Sequence, residues 1–154
     1  MFARSITSDP LTQFACAFSA LIHDVDHPGV PNAQLVKENV KIAKYYSNRS
    51  VAEQNALDLS WRLLMDAKFN DLRETISPSN EELQRFRQLV VNSVMATDIV
   101  DKELRQLRNQ RWEKAFYQEN SSSSRSRDAI NRKATIVIEH LIQASDVSHT
   151  MQHW

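Results

Sequence analysis

The chain has 154 residues, 42% of them hydrophobic, which suits one ordinary domain with its own core. Its 19 Lys and Arg balance 19 Asp and Glu, so no global field draws it to nucleic acid or anionic lipid. That leaves a small molecule or another protein as the expected partner.

No apolar run approaches the roughly 20 residues a bilayer crossing needs, so no membrane span is expected. The chain does not open on a basic and then apolar leader either. A single cysteine, Cys16, cannot form an internal disulfide, and the expected compartment is the reducing cytoplasm. Gly29 is the only glycine. Sheets with tight hairpins need more positions of positive φ than that. The expected fold is all-α.

The first predicted helix runs from Leu11 to Ile22, with Leu11, Phe14, Ala15, Phe18 and Ile22 on one face. It continues into His23-Asp24-Val25-Asp26-His27 and breaks at Pro28-Gly29-Val30-Pro31. A short helix is expected from near Asn32. Ser50-Val51-Ala52-Glu53 has the pattern of a capping box and opens a helix through about Met65. Ser79-Asn80-Glu81-Glu82 repeats the pattern ahead of a stripe of Leu83, Phe86, Val90 and Val94. A charged, half-exposed segment covers about Lys102 to Tyr117.

Residues 120–127 hold Ser121 to Ser124 and Arg125-Ser126-Arg127, and they read as a solvated loop. The sharper alternative is a phosphorylation site for a basophilic kinase. The last helix turns Ile130, Ala134, Val137, Ile138, Leu141 and Ile142 inward. Asp146 continues the row Ala134, Ile138, Ile142 at a spacing of four. A carboxylate at the end of an apolar stripe needs a partner.

The chemistry concentrates at one place. His23 and His27 are four apart and share a face on a helical turn, and Asp24 can approach the same point. Imidazole nitrogen with carboxylate oxygen suits zinc, iron or manganese better than calcium. The helix break after these residues sets the group at the rim of a pocket.

Ala20-Leu21-Ile22-His23-Asp24-Val25-Asp26-His27-Pro28-Gly29 resembles the H-D-x-x-H-P-G signature of class I cyclic-nucleotide phosphodiesterases. Three further stretches match that family in order. Tyr46 to Glu53 is similar to its Y-N-D-x-S-V-x-E segment, and Val94-Met95-Ala96-Thr97-Asp98 to its L-A-T-D stretch. Ala144-Ser145-Asp146-Val147-Ser148 is similar to its A-D-x-S segment, followed by Gln152-His153-Trp154 in the place of R-x-W.

The resemblance implies a compact helical HD-type phosphohydrolase domain that opens the cyclic phosphate of cAMP or cGMP. It implies two divalent metal ions, zinc plus magnesium or manganese, with His23, Asp24 and Asp146 as ligands from this chain and Asp24 bridging. A hydroxide between the metals would be the nucleophile, because bound metal lowers the pKa of water toward ~7. His27 and Glu53 would orient hydroxide and metal-bound water. Thr97 would hydrogen-bond another water, and His149 would face the nucleotide. Local readings stand beside these: Glu53 closing its capping box, Thr97 bonding its own backbone, Asp98 in a salt bridge. Trp61, Trp112 and Phe86 read as packing residues.

The sequence also departs from the family. The H-N-x-x-H motif expected upstream of His23 is not found, and residues 1–9 hold no histidine. The glutamine and phenylalanine that clamp the base are not found after Asp146. His149 stands where the family has asparagine, and Asn55-Ala56 replaces a histidine pair. Residues 1–154 are therefore expected to be part of a phosphodiesterase catalytic domain, within a larger multidomain signalling protein and nearly inactive alone. The alternatives are a non-catalytic helical module and another HD-type metal phosphohydrolase.

Overall fold

Asp9 opens the first helix because its carboxylate accepts the N–H of Thr12 at 3.1 Å, one of the donors a helix start leaves unpaired. Pro10 follows at a position where no N–H is needed. In the computed structural model, which describes residues 7–118 and 127–151, this helix is α1, Pro10–Ile22. Short helices α2, Asn32–Glu38, and α3, Val40–Tyr45, come next. They are followed by α4, Val51–Leu64, a 3-10 turn at Ala67–Phe69 and α5, Asn70–Ile76. The long helix α6 covers Asn80–Met95, and α7 covers Lys102–Glu113 before a π-type turn at Lys114–Gln118. Helix α8, Arg127–Asp146, ends in a 3-10 turn at Val147–Met151.

Among the described residues there is no strand, and no helix is long and apolar enough to cross a membrane. The fold is all-α.

Packing centres on α6. Its stripe buries Phe86, Val90 and Val94 against Ala15 and Ile22 of α1 and Leu64 of α4. The Phe86 ring is fully buried, with the Phe18, Phe14 and Trp61 rings at 5.5, 5.8 and 6.3 Å. Such offset and tilted aromatic contacts add to the apolar area that Phe86 removes from water. Helix α8 crosses both α1 and α6. A smaller cluster, Leu35, Ala43, Val51 and Ala52, ties α2 and α3 to the start of α4.

Three local expectations are corrected. Ser50 does not close a capping box: it adopts the left-handed conformation (φ 41°), and its hydroxyl donates to Asp98 at 2.7 Å instead. On α8, Ile130 and Leu141 are exposed, while Ala129, Ile136 and Glu139 are buried beside Ala134, Ile138 and Ile142. The apolar stripe misjudged this face because α8 also meets α7, where Arg111 donates to the buried Glu139 at 2.9 Å. Phe14 packs at the margin of the core rather than within it. The Ser79 cap does form, accepting the N–H of Glu82 at 3.2 Å.

Phe86→Ala should cost about 3–5 kcal/mol of stability, because the surrounding rings cannot all collapse into the space. Chemical denaturation measures this. A loss below about 1 kcal/mol would mean that α6 does not organise the core.

Candidate metal centre

Helix α1 stops at Ile22, and His23 makes its last helical bond, N–H to Ser19 O at 3.0 Å. The His23 ring then folds back so that Nδ1 lies 2.9 Å from Ala20 O. A carbonyl oxygen can only accept, so Nδ1 carries the proton and Nε2 of the neutral ring presents a lone pair. That lone pair faces two carboxylates: Asp24 Oδ2 and Asp146 Oδ1 each lie 3.4 Å from Nε2. All three ligand atoms fall within 4.8 Å of one another.

Three electron-pair donors at this spacing repel unless positive charge lies among them. An ion with bonds of about 2.0–2.1 Å to N and O, in a tetrahedral array, needs donors about 3.4 Å apart. The two distances from His23 match that spacing, and the group can hold a divalent cation. His23 and Asp146 are partly buried and Asp24 is exposed, so the group sits at the surface with room for further ligands.

His27 lies apart from this trio. The expected common helical face with His23 is not formed, because residues 23–26 are a turn and Asp26 takes a left-handed conformation (φ 60°). His27 Nδ1 instead accepts the N–H of Gly29 at 3.1 Å, so the neutral ring carries its proton on Nε2. That contact needs Gly29 at φ 76°, where other residues are strained. Asn55, which stands in place of a histidine, donates to Asp26 at 3.0 Å and ties the turn to α4.

Glu53 lies on the first turn of α4 and accepts from Asn32 Nδ2 at 2.8 Å. Burial pushes its carboxyl above the usual carboxylate range. The bond from Asn32 opposes that rise, the nearby Asp98 adds to it and His27 lowers it. The Asn32 amide does more: its Oδ1 accepts the N–H of Ala52 at 2.9 Å, and Nδ2 lies 3.4 Å from Asp98 Oδ2. Asn32 thus supplies from α2 the cap that Ser50 does not give α4.

Asp98 is buried and is no surface salt-bridge partner. It accepts the Ser50 hydroxyl at 2.7 Å and the N–H groups of Val100 and Asp101 at 3.0 Å each. Sequence reasoning missed the role of Asn32 and gave Asp98 only a salt bridge. An asparagine beside a helix start reads as a cap for its own helix, and nothing local points it at another.

Thr97 donates its hydroxyl to Val94 O at 2.7 Å, the local bond that a helix end allows. His149 lies in the terminal 3-10 turn, and its side chain falls outside the described structure. Most of the Ser/Arg-rich stretch 120–127 lies outside it as well. Trp112 packs on Phe116 and His140, with ring centroids at 4.4 and 4.7 Å, and Trp61 packs on the Phe86 core.

A family model described as 3'5'-cyclic nucleotide phosphodiesterase matches residues 3–154. Over 89 residues the chain is 36% identical to a Caenorhabditis elegans protein described as "Probable 3',5'-cyclic-AMP phosphodiesterase pde-4", covering 58% of this chain and 13% of that one. It is 38% identical over 86 residues to the human dual specificity calcium/calmodulin-dependent 3',5'-cyclic nucleotide phosphodiesterase 1C, covering 56% and 12%.

Two solved structures share the fold. The phosphodiesterase domain of the RhoPDE fusion protein from the choanoflagellate Salpingoeca rosetta aligns with TM-score 0.66 and 22% identity, over 89% of this chain and 40% of that one. LmjPDEB1 in complex with IBMX aligns with TM-score 0.72 and 23% identity, over 97% and 42%. The chain thus spans about two fifths of those solved chains and about an eighth of the curated relatives.

Because the folded-state pKa of Glu53 is raised, the native protein holds this proton more tightly than the unfolded chain. Its contribution to stability is therefore full below the ordinary value of 4.5 and is lost as pH rises through the folded pKa. With metal chelated, Glu53→Gln should raise Tm relative to wild type at pH 7, and the gain should vanish toward pH 4. Thermal melts across that range decide it. A gain that does not depend on pH would mean that Glu53 is not the strained carboxyl.

Proposed function

The chain belongs to the 3′,5′-cyclic nucleotide phosphodiesterase family, and on that premise we propose that residues 1–154 supply part of a catalytic domain hydrolysing cAMP or cGMP to the 5′-monophosphate. The observation that carries the proposal is the trio His23, Asp24 and Asp146, which converges on one point from the end of α1 and the end of α8. Family membership implies divalent metal ions. Our finer reading is zinc with magnesium or manganese, held by those three residues and with Asp24 shared. Such ions supply Lewis acidity toward phosphoryl oxygens and water.

Hydrolysis joins the oxygen of water to phosphorus, breaks the P–O3′ bond and leaves a proton on the 3′ oxygen. The residues of this chain serve that sequence in distinct ways. The Ala20 contact fixes the His23 tautomer that offers Nε2 as a ligand. Asp24 and Asp146 would hold the positive charge of the ions.

Glu53, its carboxyl raised by burial, is suited to take up a proton more readily than an exposed carboxylate would. His27 holds a proton on Nε2, because Nδ1 is taken by Gly29. The Thr97 oxygen, its own proton given to Val94, is an acceptor for water. His149 is assigned to the face toward the nucleotide. The work belongs in the cytoplasm, within a larger signalling protein.

In the protein carrying this segment, Asp24→Ala and Asp146→Ala should each lower bound metal. Each should also reduce hydrolysis by more than the ~10- to 100-fold typical of an outer partner. Glu53→Gln should lower rate more than metal content. Elemental analysis beside a cyclic-nucleotide assay tests all three. Near-native turnover in either aspartate variant would remove the site assignment, and a wild type without stoichiometric metal would favour a non-catalytic helical module.

A further inference from the structure

One side chain outside the metal trio is bonded in a way that packing alone does not require. Asn32 is half-buried at the start of α2, far from α4 in sequence, yet its amide makes three contacts around the first turn of α4. Its Oδ1 accepts the Ala52 N–H at 2.9 Å, while Nδ2 donates to Glu53 Oε2 at 2.8 Å and lies 3.4 Å from Asp98 Oδ2. The two ends of the amide cannot be exchanged. Flipping it would set its carbonyl oxygen against two carboxylates and its NH2 against an N–H. The neighbours therefore fix its orientation, and it in turn fixes theirs.

Only a primary amide of this length meets both demands, since a carboxylate cannot donate and a hydroxyl cannot span both partners. The Asp98 end is itself anchored by Ser50 and by the backbone N–H groups of Val100 and Asp101. A rigid chain of bonds thus runs from the α6–α7 turn through Asn32 to Glu53.

We propose that Asn32 is a positioning residue that sets the orientation of the Glu53 carboxylate, through the bond from Nδ2 to Oε2 and the simultaneous bond from Ala52 to Oδ1. The consequence for turnover rests on the phosphodiesterase reading, in which Glu53 handles a proton. The bond itself does not. The charged and titratable groups Asp98 and His27 also act on Glu53, beside the Asn32 amide.

The test exchanges donor and acceptor. Asn32→Asp keeps an acceptor for Ala52 but sets a carboxylate against Glu53 and Asp98, and should lower Tm by about 3 °C or more at pH 7. In the double variant Asn32→Asp/Glu53→Gln the donor and acceptor of this bond trade places, and Glu53→Gln should raise Tm by more than it does in the wild-type background, with the part of the loss due to Asp98 remaining. Effects on Tm that simply add across the cycle, the gain from Glu53→Gln included, would overturn the proposal, because uncoupled side chains do not position one another. Asn32→Ala supplies the second arm: well below its own Tm, kcat should fall about 10- to 100-fold with KM changed only a few-fold. An unchanged kcat in an active wild-type background would reduce Asn32 to a structural cap and also overturn the proposal. A wild type that hydrolyses neither cyclic nucleotide would instead count against the phosphodiesterase reading, leaving the thermal cycle to decide whether Asn32 holds Glu53.

Discussion

His23 and Asp146 stand 123 positions apart, yet a single imidazole nitrogen faces both Asp146 and Asp24 at 3.4 Å. The Ala20 carbonyl forces the proton onto Nδ1, so the facing nitrogen has only a lone pair to offer unless the ring is charged. This nitrogen and the two carboxylates gathered at one point call for positive charge among them, from a bound cation or a doubly protonated ring. This arrangement persists only if α1 and α8 end at the same place, and both do so because they pack on α6. The apolar core around Phe86 and the polar centre at the helix ends are two parts of one construction.

A second layer of order surrounds the first. The turn after α1 carries two left-handed residues, Asp26 and Gly29, and is held by Asn55 from α4 and by the ring of His27. On the other side, Asn32, Ser50 and Asp98 knit α2, α4 and the α6–α7 turn around Glu53. Buried polar groups of this kind are costly unless each is bonded, and here the bonds are shared among elements. The strained φ of Ser50 belongs to that network: it turns the hydroxyl away from its own helix and toward Asp98.

The long helices and their order were legible in the sequence because period and breakers agree, while the short helices α3 and α5 were not. The stripe of α6 begins behind a working Ser79 cap, whereas α1 ends at Ile22, a turn earlier than the Pro28-Gly29 break. The spatial meeting of His23, Asp24 and Asp146 was legible only through the family's motifs, since no periodicity joins residues so far apart. What escaped was long-range. Ser50 and Glu53 have the letters of a capping box, but the competing acceptor, Asp98, lies 48 positions away. Ile130 and Ile136 are equally apolar, and only the placement of α7 decides which one is buried.

The central claim is that His23, Asp24 and Asp146 form one cation site, and anomalous X-ray diffraction from crystals grown with zinc or manganese tests it most directly. The account predicts an anomalous peak within about 2.0–2.2 Å of His23 Nε2 and of one oxygen from each aspartate. A full-occupancy peak elsewhere, with His23 and the two aspartates left bare, would contradict it.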